Sequence, residues 1–292
     1  MIRKSYALSD GEISALHFGP EGPAQMIFCH ANGFNAQTYR AILDPLGVPV
    51  IALDLRGHGQ SILPLPDFKA LSGFHIFGDD IAQFIRLYVT SPVVVAGHSM
   101  GAVSAILAAR KQGGMYAGYA GFDPVTLPDA PRLLSRFEWF RQLTMRRFAL
   151  ARKAGSRRRE FDSHAAIFDR YQGRGAFKSF SDQSLHDYLN GGLTALPAGR
   201  VELSCDPLWE QAIYAAQSHN IYKAATALPA NSRLIYAEKF GPSTKSTRAK
   251  MQRNLRGGTC EFYHGKGHFF PIEEPDFAIE ILKDVLAKAK LS

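Results

Sequence analysis

The nine residues Val93–Gly101, VVVAGHSMG, constrain this chain more than any other stretch. Small and β-branched apolar residues run straight into Gly97-His98-Ser99-Met100-Gly101, and the Ala/Val/Ile/Leu-rich run 102–109 follows with helical character. A buried strand, a tight reversal and a helix fit that order, with a serine at the apex. Side chains flanking such an apex would collide with the neighbouring strand and helix, so glycines on both sides are required, and Gly97 and Gly101 supply them. The reading lifts Ser99 clear of the backbone at the carboxyl edge of a sheet.

The rest of the chain builds that sheet. Lys4–Leu8 and Ile13–Phe18 alternate and flank Ser9-Asp10-Gly11-Glu12, which predicts an antiparallel hairpin turned at Asp-Gly. Apolar runs at 24–29, 48–53, 93–98, 116–122, 233–237 and 258–263 read as buried strands. Helical spacing lies between them (Tyr39, Ile42, Leu43, Leu46; Ile81, Phe84, Ile85, Tyr88) and again in Pro275–Ala289. This alternation predicts an α/β fold with a mostly parallel central sheet and helices on both faces. From 125 to 229 the strand signal disappears and helical segments are broken by Gly/Arg/Ser stretches, so this region is expected to be an inserted helical cap on a core formed by 1–124 and 230–292.

Composition narrows the setting. With 292 residues, 46% of them hydrophobic, the chain can bury a sizeable core. It carries neither an apolar N-terminal leader nor a run of membrane-spanning length, so the expected location is cytoplasmic. Cys29, Cys205 and Cys260 lie far apart and outside metal-ligand spacing, so no disulfide framework and no metal site are expected. The net charge of +8 is partly local: 136–159 holds nine Lys/Arg against the single acid Glu138. Interleaved Phe137, Trp139, Phe140, Leu143, Phe148 and Leu150 suggest a helix burying its apolar face and solvating its basic one. Neither nucleic-acid binding nor membrane association is expected, and the oligomeric state stays open, a homodimer included.

A serine hydroxyl needs a base within hydrogen-bond reach to act as a nucleophile. His268, in Gly265-Lys266-Gly267-His268-Phe269-Phe270, falls between the final strand and the final helix, at the edge where Ser99 must sit. His264, His98 and His58 are less well placed. An oxyanion would be met by the backbone N–H of Met100 and by a second donor from the loop His30–Phe34, with Phe34 the first choice and Asn32 the second. His30, His98 and Trp139 are candidates for the pocket wall.

HANGF after the first parallel strand, DLRGHGQS after the next, GHSMG and GKGHFFPIEEP occur in an order that resembles the α/β-hydrolase fold family, of the cap-bearing serine-hydrolase type. The resemblance implies Ser99 as nucleophile, His268 as base, and hydrolysis of an ester or similar acyl bond of a small molecule without a cofactor. It also exposes a departure. The family's acid usually follows the strand that here reads LIYAEKFGPSTK, and Gly241 stands where it would be. Asp123, at the end of the preceding strand, is the first choice for a substitute; Glu238 is the alternative. Two further readings stay open: carbon–carbon bond hydrolysis of a dienoate-type substrate held by Arg141 or Arg152, and a non-catalytic binding member of the fold.

Overall fold

Residues buried alternately on two faces put a sheet at the centre of the molecule. The computed structural model describes every residue except Phe240, Lys290 and Ser292. Strands β1 (Ile2–Leu8) and β2 (Gly11–Phe18) form the hairpin, with only Ser9 and Asp10 unpaired because Leu8 pairs with Gly11. Then come β3 (Met26–Cys29), β4 (Val50–Leu53), β5 (Val93–His98) and β6 (Tyr116–Phe122). The insertion carries β7 (Glu160–Phe161), β8 (Leu193–Ala195) and β9 (Val201–Leu203), and β10 (Ser232–Ala237) and β11 (Thr259–Tyr263) complete the set. The main sheet runs β1-β2-β4-β3-β5-β6-β10-β11 and is parallel from β4 onward.

Side-chain alternation decides what covers each face. Val93 and Val95 of β5, with Ile27 and Cys29 of β3, join a cluster containing Phe77, Ile81 and Phe84 of α2 (His75–Tyr88) and Val103 and Ile106 of α3 (Met100–Gln112). Val94, Ala96, Met26 and Phe28 point the other way, into a cluster that includes Ile42 and Leu43 of the single turn α1 (Arg40–Leu43). Each valine, isoleucine, leucine, methionine or phenylalanine among them, fully buried, stabilises the fold by about 1.5–3 kcal/mol.

Between β6 and β10 the insertion contributes α4 (Asp129–Leu134), α5 (Glu138–Arg147), α6 (Ala149–Gly155), α7 (His164–Tyr171), α8 (Asp182–Gly192), α9 (Pro207–Ala215) and α10 (Ile221–Ala225). It is not purely helical as expected: β7, β9 and β8 form a small antiparallel sheet whose two- and three-residue strands are too short to show a period in sequence. The insertion is also packed into the core. Trp209 of α9 is fully buried, lies 5.9 Å from the Phe77 ring and donates from Nε1 to the Arg56 carbonyl at 3.2 Å. Gly57, at φ +75°, makes the space: a Cβ there would fall 2.3 Å from Trp209 Nε1.

After β10 come α11 (Lys245–Asn254), α12 (Phe270–Glu273) and α13 (Pro275–Ala289), whose Ile281, Leu282 and Val285 are buried in the second cluster. Among the described residues no helix is long and apolar enough to cross a membrane.

Candidate active site

Three chain segments meet above the carboxyl edge of β5, β6 and β11. Ser99, at the β5–α3 reversal, has φ 54° and ψ −115°, a backbone conformation that side-chain-bearing residues seldom adopt. Close packing holds it there. A Cβ on Gly101 would sit 2.2 Å from the Cys29 carbonyl oxygen, and one on Gly97 would sit 2.8 Å from the Ala102 nitrogen. His268 Nε2 lies 3.0 Å from Ser99 Oγ, and its Nδ1 lies 2.5 Å from Asp123 Oδ2.

Asp123 follows β6 with φ 42°, fully buried, and its Oδ1 accepts from the Ala237 N–H at 3.1 Å. With a carboxylate on Nδ1, the hydrogen of the neutral ring sits there and Nε2 is free to take the Ser99 proton. Glu238 is elsewhere: it is exposed, accepts from the Gly265 N–H at 2.7 Å and approaches His264 Nδ1 at 3.3 Å. Gly241 explains how Asp123 fits. A Cβ at 241 would lie 3.2 Å from both Asp123 carboxylate oxygens, so the two positions address the same space.

The backbone N–H groups expected to meet an oxyanion are not equally free. Met100 is the first residue of α3, where a backbone N–H has no intrahelical acceptor. In the loop after β3, however, Phe34 N–H donates to the Ala31 carbonyl at 3.1 Å, Gly33 N–H donates to His58 Nε2 at 3.1 Å, and Ala31 N–H donates to the Tyr39 hydroxyl. The Asn32 N–H has no acceptor among the described residues, whereas the Phe34 N–H expected as the first choice is taken up within the loop. The Asn32 side chain is tied to the insertion, donating from Nδ2 to the Glu210 carbonyl at 3.0 Å.

His30 and His98 do not line a pocket. Both are fully buried with both ring nitrogens engaged. His30 Nε2 accepts from the Leu55 N–H at 2.9 Å and Nδ1 donates to the Ala31 carbonyl. The Tyr39 hydroxyl, already accepting from Ala31, gives its hydrogen to His98 Nδ1 at 2.7 Å, so His98 Nε2–H donates to the His268 carbonyl at 2.9 Å. Trp139 is 59% exposed, stacks on Phe137 and meets Phe140 edge-on, outside the site.

Other aromatic rings gather beside His268. The Phe34 ring contacts Phe180, Tyr188 and Phe269 at centroid distances of 6.2, 5.3 and 5.5 Å, and Phe269 neighbours His268 at 5.3 Å. Phe177 joins them, its ring 4.7 Å from that of Tyr188 and 5.4 Å from that of Phe180, and the sequence alone singles out neither Phe177 nor Phe180. Arg157 is one of nine basic residues in 136–159, and nothing in the sequence sets it apart from the other eight. It pairs with Glu210 at 2.5 Å and donates to the Tyr188 and Tyr171 hydroxyls. A cavity of about 10 Å³, room for one water, lies between it, Gly33, Phe34 and Cys205. A larger cleft of about 590 Å³ lies away from Ser99, lined by Asp10, Arg56, Asp79, Asp80 and Lys111, whose charges pair with one another. Arg141 is buried, its guanidinium bound to the carbonyls of Ser135, Arg136 and Lys69, and Arg152 is exposed on α6; neither faces Ser99.

The histidines beneath the site set an acid limit on the fold. Burial lowers His30 to about 4 and His58 and His219 to about 3, and holds His98 well below the usual imidazole value. In each of His30 and His58 the nitrogen that would take the proton already faces a backbone N–H. Unfolded histidine protonates near pH 6.5 while these folded ones stay neutral, so stability is complete above about pH 6.5 and falls as pH drops toward 4. Each group contributes up to roughly 1.4 kcal/mol per pH unit over that window. Denaturant titrations from pH 7 to 4 should show this steep decline, with proton uptake on unfolding; a flat profile contradicts it.

Comparison with known proteins agrees with this architecture. The model of the alpha/beta hydrolase family matches residues 26–281. Human monoglyceride lipase is 33% identical over 129 residues, 41% of this chain and 42% of the lipase, and the esterase Rv0045c of Mycobacterium tuberculosis is 33% identical over 98 residues, 33% of this chain and 31% of that protein. The chain thus spans less than half the length of these curated relatives. The solved structure of E-2-(acetamidomethylene)succinate hydrolase superposes with a TM-score of 0.76 at 18% identity, covering 98% of this chain and 99% of that one. The M. tuberculosis esterase structure gives 0.72 at 24% identity, over 98% and 93%. At such identities the likeness of structure is one of fold, and with the family model spanning both the serine reversal and the histidine loop, this chain belongs to the alpha/beta hydrolase family.

Proposed function

We propose that this chain is a serine hydrolase that cleaves carboxylic esters through an acyl-enzyme. The observation that carries the reading is the alignment of Ser99 Oγ, the His268 imidazole and the Asp123 carboxylate at 3.0 and 2.5 Å. Oγ attacks the ester carbonyl carbon as its proton passes to His268 Nε2. The N–H groups of Met100 and Asn32 receive the tetrahedral oxyanion. The imidazolium returns the proton to the departing alkoxide as the C–O bond breaks, leaving the acyl group on Ser99. Water then repeats the sequence, releasing the acid and restoring the hydroxyl.

The insertion serves in this reading as a cap, with Phe177, Phe180 and Tyr188 forming an apolar acyl or alcohol pocket beside Phe34. The carbon–carbon reading needs a free cation for a substrate carboxylate. Arg141 is bound to carbonyls, Arg152 is exposed, and Arg157 is neutralised by Glu210. An uncharged ester of small or medium length therefore fits better than a dicarboxylate.

A fluorophosphonate probe separates catalysis from simple binding, since only an activated serine reacts quickly. Labelling should map by peptide mass to Ser99, and p-nitrophenyl acetate, butyrate and octanoate should release nitrophenol. An unlabelled, folded protein would leave the non-catalytic reading standing.

A further inference from the structure

The basic run of the insertion is folded the other way round from what its spacing suggests. Arg141 is the buried member of α5, captured by three carbonyl oxygens, and most of the large apolar side chains of the run are turned outward, only Phe140 and Met145 being half-buried. Leu134, Phe137, Trp139, Leu143, Phe148 and Leu150 are exposed, Phe137 by 55% and Leu150 by 53%. Among the described residues, nearly half of the exposed large apolar side chains therefore fall within 133–150, and such concentration on a surface marks contact with something else.

Charge identifies what that is. Arg136, Arg146, Arg147, Arg152 and Lys153 stand exposed among these side chains, and none makes an ion pair among the described residues. The one acid of the stretch, Glu138, accepts from Gln142. A two-fold contact with a second copy would set these cations against themselves. An anionic bilayer surface satisfies both halves of the patch: arginine and lysine meet the headgroups while tryptophan, phenylalanine and leucine enter the headgroup–acyl boundary.

We propose that the α4–α6 face docks on an anionic phospholipid membrane surface, holding the enzyme at that surface without crossing it. The expectation of no membrane partner rested on the apolar face being buried, which it is not. α5 and α6 pack against α9, the helix whose Glu210 carbonyl holds Asn32, so the docked face lies one helix from the oxyanion loop. The proposal does not depend on which ester is cleaved.

The chain's two tryptophans give a direct readout, because Trp209 is fully buried and Trp139 exposed. Titrating the full chain with vesicles of equal parts phosphatidylcholine and phosphatidylglycerol should blue-shift the emission, protect it from acrylamide and carry the protein down in sedimentation. Phosphatidylcholine vesicles alone, or raised salt, should weaken this strongly. Each cation at such a surface is worth roughly fivefold in partitioning, so the double variant Arg146→Glu/Arg147→Glu should lose at least roughly twentyfold. Phe148→Ala/Leu150→Ala should lose binding while keeping its melting temperature. Equal partitioning to neutral and anionic vesicles, no shift with either, or a shift produced by protein concentration alone would each overturn the proposal. Turnover of p-nitrophenyl acetate in vesicle-free buffer stands or falls separately.

Discussion

Replacing Ser99 by alanine should lower ester turnover by roughly 10⁴- to 10⁶-fold and abolish fluorophosphonate labelling, while the fold persists. The hydroxyl's recorded bond is to His268, and the reversal is held by backbone contacts of Gly97 and Gly101 that the substitution does not touch. The residual rate should still exceed that of water, because the oxyanion donors proposed above, the Met100 and Asn32 N–H groups, are left in place by the substitution. Burst and steady-state kinetics on p-nitrophenyl butyrate, beside thermal melts of both proteins, check this. Turnover by Ser99→Ala within tenfold of the parent would place the nucleophile elsewhere.

Asp123→Gly should cost roughly 10⁴-fold in kcat with little change in KM, since the acid acts on the orientation and charge of His268 rather than on substrate. Glycine is the appropriate replacement at φ 42° because it adopts that backbone without strain. The second arm is sharper. Gly241→Asp in the Asp123→Gly background should recover more than tenfold, because a side chain at 241 projects into the space the Asp123 carboxylate leaves. Gly241→Asp alone should be harmful, since it sets two carboxylates against each other beside one imidazole. A well-folded double variant no faster than Asp123→Gly would mean that a carboxylate at 241 does not reach the His268 ring, and an Asp123→Gly as fast as the parent would mean that His268 needs no acid at all.

The sequence shows the main sheet and the serine reversal because both rest on local rules: runs of β-branched residues, and glycines where a Cβ has no room. Asp123 could be named because a strand end places a side chain at the same edge as Ser99. Which N–H of HANGF stays free could not be read, since it depends on Phe34 closing a turn on Ala31 and on His58, 25 residues away, taking Gly33. Periodicity in 136–159 suggests one helix burying its apolar side, whereas the run forms two, α5 and α6, and the buried residue of α5 is Arg141. Three carbonyls from outside α5 settle that by taking Arg141, and no pattern within the helix records them.

The hold of α9 on the first loop has a consequence for how substrate preference can change. Because the Glu210 carbonyl fixes Asn32 and the Trp209 indole fixes the Arg56 carbonyl, grafting a homologue's insertion onto this scaffold would slacken the reaction centre along with remodelling its walls. New specificity is reached more readily by exchanging residues such as Phe177 and Phe180 one at a time than by transplanting the whole segment.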